Sequence, residues 1–195
     1  MKYLIVIIFT ILSLDFVYAQ SDESIINSII DDLFSPKEYI SFKNHKDTIL
    51  INSTINRTYF DYDSISFKNE TGFIVPTNII SELCKNIEPK DFVSYWNQDK
   101  LNRTDTIYLS NDTTIGLKPF IKCLSADEMD LLFEKAPKMH RIYFIDKIIF
   151  DDKRENAVFN FGYTSWPGYF SSEKILIKKV FWKWVIITRF NFLMS

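Results

Sequence analysis

The chain has 195 residues, with 23 Lys and Arg against 25 Asp and Glu and a formal net charge of −2, so no strong overall field draws in nucleic acid or acidic lipid. With 47% hydrophobic and 16% aromatic residues it can bury a substantial core, and it lacks the polar bias of a disordered tail. Only four glycines are present, which leaves little backbone for cradling a phosphate.

The opening stretch, MKYLIVIIFTILSLDFVYAQ, joins one basic residue, Lys2, to an apolar run from Tyr3 to Leu14 and then to Val17-Tyr18-Ala19, whose side chains suit a cleavage site. The run is shorter than the roughly 20 residues of a bilayer-spanning helix, and the polar Gln20-Ser21-Asp22-Glu23 follows at once. No cysteine stands after it to carry a lipid. The expectation is a secretory signal over residues 1–19 and a single α+β domain over residues 20–195, exported to the periplasm or outside the cell, with no transmembrane anchor.

From Ser24 to Phe34, Ile25, Ile26, Ile29, Ile30, Leu33 and Phe34 recur at helical spacing, and Ser35-Pro36 ends the pattern. β-Branched and aromatic stretches then predict short strands at Tyr39 to Phe42, Thr48 to Ile55, Arg57 to Phe60, Ser64 to Phe67 and Gly72 to Val75. Ile79, Ile80, Leu83, Cys84 and Ile87 predict a second helix, stopped by Pro89. Asp91 to Leu101 reads either as a further helical turn or as the approach to a strand. Asp105 to Ser110 and Leu117 to Leu124 predict strands, and Ser125-Ala126-Asp127-Glu128 is a capping box opening a third helix that runs to about Lys135, with Met129, Leu132 and Phe133 inward.

Four strands follow in RIYFIDKIIF, AVFNFGY, SEKILIKKV and WVIITRFNF, whose short connections force antiparallel neighbours. Alternation places Ala157, Phe159, Phe161 and Tyr163 on one face, and likewise Trp184, Ile186, Thr188, Phe190 and Phe192. Gly162 closes one strand, Trp166-Pro167-Gly168 supplies turn chemistry, and Tyr169-Phe170 lead into the next. The expected fold is therefore α+β: an antiparallel sheet with a C-terminal four-strand meander and about three helices packed on it. Cys84 and Cys123 either form a disulfide, whose loop of about 40 residues would stabilise the fold by about 4 kcal/mol, or remain buried free thiols.

Ile149-Phe150-Asp151-Asp152-Lys153, Asn156-Ala157-Val158, Gly168-Tyr169, Leu176-Ile177-Lys178-Lys179, Lys183-Trp184-Val185-Ile186 and the terminal Ser195 form a pattern across about residues 130–195. On it, the chain resembles a family of uncharacterised exported bacterial proteins with a C-terminal β-meander. The resemblance implies a fold and an export route and no activity. Many members carry a Cys-Gly pair on each side of the glycine-rich turn, whereas Tyr163 to Tyr169 contains no cysteine, so no crosslink or metal is implied there. Members also have Asn-Gly before the Lys-Trp, where this chain has Phe181-Trp182, a pair that puts aromatics at a bend in place of the usual turn residues.

Chemical signatures are absent from the sequence. His45 and His140 stand far apart, without HExxH or CxxC, and there is no phosphate loop, GxGxxG or GxSxG. The acid pairs Asp31-Asp32, Asp127-Glu128 and Asp151-Asp152 fall near a helix end, in a cap and in a hairpin turn, not as two carboxylates across a cleft. Asn-x-Ser/Thr triplets begin at Asn52, Asn56, Asn69, Asn102 and Asn111, a modest excess over chance. No catalytic residue, metal or cofactor is expected. The sequence supports a non-enzymatic exported domain that binds a protein or glycan of the envelope, with Trp166, Phe181 and Trp182 as the candidate surface. The alternative is a ligand-binding domain or enzyme that resembles the nuclear transport factor 2 superfold, with a pocket in a curved sheet.

Overall fold

A computed structural model describes residues 20–33, 48–101, 107–109, 115–117, 120–135, 141–165 and 168–195. The predicted signal, the predicted strand at residues 39–42, His45, His140 and Trp166 lie outside the described residues. In chain order the first elements are α1 (Asp22–Leu33), β1 (Thr48–Asn52), β2 (Thr54–Ile55), α2 (Ser64–Thr71), α3 (Thr77–Lys85), β3 (Ser94–Tyr95) and α4 (Gln98–Leu101). There follow β4 (Ile107–Leu109), β5 (Ile115–Leu117), β6 (Phe120–Leu124), α5 (Ala126–Lys135), β7 (Arg141–Ile145), β8 (Ile149–Phe150), β9 (Asn156–Ser165), β10 (Tyr169–Val180) and β11 (Lys183–Met194).

Among the described residues the main sheet has seven strands in the order β11-β10-β9-β7-β1-β6, with β8 also paired to β9. Its C-terminal part is the expected meander, β7, β9, β10 and β11 each antiparallel to the next. β1 lies parallel to both β6 and β7, so the sheet is mostly antiparallel with one parallel end. Parallel neighbours need a long crossover, and α5 lies in the connection between β6 and β7.

Strand periodicity sorts the apolar residues onto two faces. Ala157, Phe159 and Phe161 of β9 join Ile49, Ile51, Ile175 and Ile177 under α1, whose Ile25, Ile26, Ile29, Ile30 and Leu33 form the covering stripe. The alternate residues Val158 and Leu176 pack on the opposite face with Phe67 of α2, Ile80 and Leu83 of α3, and Phe190. Fully burying each such side chain contributes about 1.5–3 kcal/mol, which is why helices cover both faces.

Several sequence expectations are corrected. Ser64 to Phe67 is helix, not strand: Asp63 Oδ1 accepts the N–H groups of Ile65 and Ser66, each at 2.8 Å, and Gly72 at φ 74 closes the helix. Residues 57–60 and 72–75 form no strand. RIYFIDKIIF is split into β7 and β8 because Asn56 and Thr58 dock at the break: Lys147 N–H donates to the Asn56 carbonyl, and the Thr58 hydroxyl donates to the Lys147 carbonyl. Trp184 to Phe192 does not keep one face. Ile177 opposes Ile186 but Leu176 opposes Thr188, so Ile187 is an extra residue, and this bulge turns Phe190 onto the second cluster while Trp184 stays in the first. Gly162 lies inside β9, not at its end, where a Cβ would stand 2.2 Å from the Ser171 carbonyl oxygen and 2.5 Å from the Phe144 ring. The long connection expected from Phe161 to Phe170 therefore shrinks to residues 166–168, and β10 begins at Tyr169.

Candidate functional site

β10 and β11 are joined by two residues, since Val180 pairs with Lys183. Two-residue hairpin turns need positive φ at their first residue and so favour Gly, Asn or Asp there. Here that residue is Phe181, at φ 55, a conformation costly for a bulky side chain. Phe181 is 90% and Trp182 69% exposed, with Val180 beside them at 40%. Lys178 and Lys183 flank the tip in solvent, and Lys179 is half-buried. The stretch Lys178-Lys179-Val180-Phe181-Trp182-Lys183 thus places basic residues on both sides of the two rings.

The turn between β8 and β9 stands beside this tip, because Lys179 N–H donates to the Glu155 carbonyl at 2.7 Å. Asp151, only 3% exposed, organises that turn: it accepts the N–H groups of Glu155 and Asn156 at 2.8 and 3.1 Å and the Asn156 side-chain amide at 2.7 Å. Arg154 lies over the Phe150 ring, 3.8 Å from its centroid, and donates to the Gln20 carbonyl at 3.4 Å. The indole N–H of buried Trp184 donates to Gln20 Oε1 at 2.9 Å. Two contacts thus fix the first described residue at the tip end of the sheet.

An open cleft of about 370 Å³ lies beside this turn, lined among others by Asp22, Asn86, Glu88, Lys147, Asp152 and Arg154. Most of its polar groups are engaged with one another. Lys147 pairs with Asp22 at 2.8 Å, and the Asn86 amide donates to the Phe150 carbonyl and to Asp152 Oδ1. No group of three or more His, Cys, Asp or Glu side chains is arranged to hold a metal among the described residues.

A polar strip crosses the second face near Asn160. Burial pushes the Asp146 carboxyl up, against the opposing Asn160 amide, which donates to its Oδ2 at 2.8 Å; Oδ1 has no hydrogen bond of good geometry. Lys174, across from Asn160 in the register, is pushed down by burial while Glu70 and Asp146 oppose the shift. The Tyr62 hydroxyl, raised mainly by burial, donates to Glu70 at 2.8 Å. These groups offset one another across the edge of the core.

Cys84 and Cys123 are both free. Cys84 packs with the second cluster and Cys123 with the first, on opposite faces of the sheet, so the disulfide alternative is not realised. Burial pushes the Cys123 thiol up to about 11, which makes it a poor nucleophile. Of the triplets, the one at Asn56 has its Thr58 hydroxyl buried and bonded, Asn52 Oδ1 accepts the Thr54 N–H, and Asn69 is exposed on α2; Asn102 and Asn111 lie outside the described residues. Comparison of the chain with protein-family models, with curated proteins and with solved structures returns no match.

Proposed function

We propose that the chain is a non-catalytic, exported binding domain of the bacterial cell envelope that docks through the β10–β11 tip. The observation that carries this reading is Phe181, a ring 90% exposed on backbone at φ 55, where folding alone favours Gly or Asn. Val180, Phe181 and Trp182 make a run of exposed apolar residues at this tip, a pattern that suits docking. Polar groups spent on one another, in the cleft and in the strip, support binding over catalysis. The nuclear transport factor 2-like alternative needs an apolar pocket on a curved sheet; core clusters on both faces of the sheet among the described residues support the binding reading over it.

The test is a Phe181→Ser/Trp182→Ser double variant expressed with its own leader. It is expected to melt within about 1 kcal/mol of the parent, as exposed substitutions do, and to leave the envelope fraction for the soluble one. Equal retention of both proteins would end the reading.

A further inference from the structure

We propose that the partner met by the tip is an anionic lipid surface, and that the domain lies on it with the Gln20 end facing the bilayer. This rests on the tip being the docking element. The chain's overall charge of −2 argues against an acidic partner, but the charge is unevenly spread. At the tip Lys178, Lys179 and Lys183 flank the two rings with no carboxylate between them; in the adjoining turn Lys153 and Arg154 stand with Asp152 and Glu155, Glu82 accepts the Asp152 N–H, and Glu88 lines the cleft beside Arg154, while Asp151 is buried and Asp22 is paired with Lys147.

Aromatic rings interleaved with lysines suit the interfacial zone of a membrane, where the rings settle among headgroups and each lysine gains from the negative surface. The shape favours lipid over protein. Two rings on a convex two-residue turn offer far less than the roughly 800 Å² per partner of a stable protein interface, whereas interfacial binding requires only shallow burial of apolar side chains together with electrostatic attraction. Gln20 is held against Trp184 and Arg154 at this same end, which sets that end of the domain toward the bilayer when the tip inserts.

The experiment uses the full chain and co-sedimentation with vesicles of phosphatidylglycerol and phosphatidylethanolamine, against vesicles of phosphatidylcholine alone. Three proteins are compared: the parent, Phe181→Ser/Trp182→Ser, and Lys178→Gln/Lys179→Gln/Lys183→Gln. The apolar leader contributes equally to all three, so the differences between them report the tip. At low ionic strength the lysine variant is expected to bind anionic vesicles about 100-fold more weakly than the parent, the aromatic variant at least about tenfold more weakly, and neither is expected to differ from the parent on neutral vesicles as strongly. Brominated lipid should quench Trp182 fluorescence in the parent, and Trp182→Phe should remove that component. Equal binding by all three proteins, or equal preference for neutral and anionic vesicles, overturns the proposal. If vesicle binding is equal but the aromatic variant still leaves the envelope fraction, the tip docks on a protein and the binding reading survives; if retention is also unchanged, both readings fall.

Discussion

Two neighbouring turns of the meander contain a non-glycine residue in nearly the same left-handed conformation, Arg154 at φ 53 and Phe181 at φ 55. The first is held from within: buried Asp151 accepts three N–H groups, and the Arg154 side chain folds back over Phe150 and reaches Gln20. Phe181 instead projects into solvent at 90% exposure. Equal backbone strain is thus offset inside the fold in one turn and left uncompensated in the other. A strained residue whose side chain is put to use internally is part of the architecture, whereas one whose side chain points outward calls for an external reason.

The largest effect that could break this comparison comes from Asp151→Ala, which would strand the N–H groups of Glu155 and Asn156 and the Asn156 amide. We expect a loss of about 3 kcal/mol or more in urea unfolding; a loss below about 1 kcal/mol would show that Asp151 does not organise the turn. Asp146 sharpens the point, because it is equally buried but only partly satisfied. Burial raises its carboxyl above the ordinary value, so its folded form binds a proton more tightly than the unfolded chain. Its contribution is then most favourable below the ordinary Asp range near pH 4 and is lost as pH rises through the folded value. Asp146→Asn is expected to stabilise by about 1–2 kcal/mol at neutral pH, with the gain fading as thermal melts are taken toward pH 4; a gain independent of pH would contradict this. Smallest is Phe181→Gly. Relief of the left-handed strain, less the extra freedom glycine gives the unfolded chain, leaves a gain of about 0.5–1 kcal/mol, and a clear destabilisation would mean that the ring is used within the fold after all.

Much of the architecture was legible in the sequence. The stripes from Ile25 to Leu33 and from Ile79 to Leu83 mark helices that bury those residues, and the capping box is realised in both directions, Ser125 N–H to Glu128 and Glu128 N–H to Ser125 Oγ. The meander followed from strand alternation and short connections. α2 escaped because only Phe67 is buried in it, leaving no apolar periodicity to read; Asp63 and Gly72, a cap at each end, were the available signal. The inserted Ile187 could not be read, since a bulge depends on how two strands fit and not on either alone. In the Asp151-Asp152 pair, identical neighbours have opposite fates, one buried and one exposed, and only the tertiary position of the turn separates them. At the candidate site the two rings were visible because they occupy a place where glycine is usual; the adjoining Lys153 and Arg154 came into view only when β8–β9 and β10–β11 were seen side by side.

Ser195 exchanges both backbone hydrogen bonds with Phe170 at the start of β10, while Gln20 sits at that strand's other end. The twelve residues of β10 separate the two by about 40 Å. Purification handles and fluorophores are therefore not equivalent at these two positions. One fused ahead of Gln20 would crowd Phe181 and Trp182, whereas one fused after Ser195 would hold the molecule by its far end and leave the hairpin pointing outward from a sensor surface.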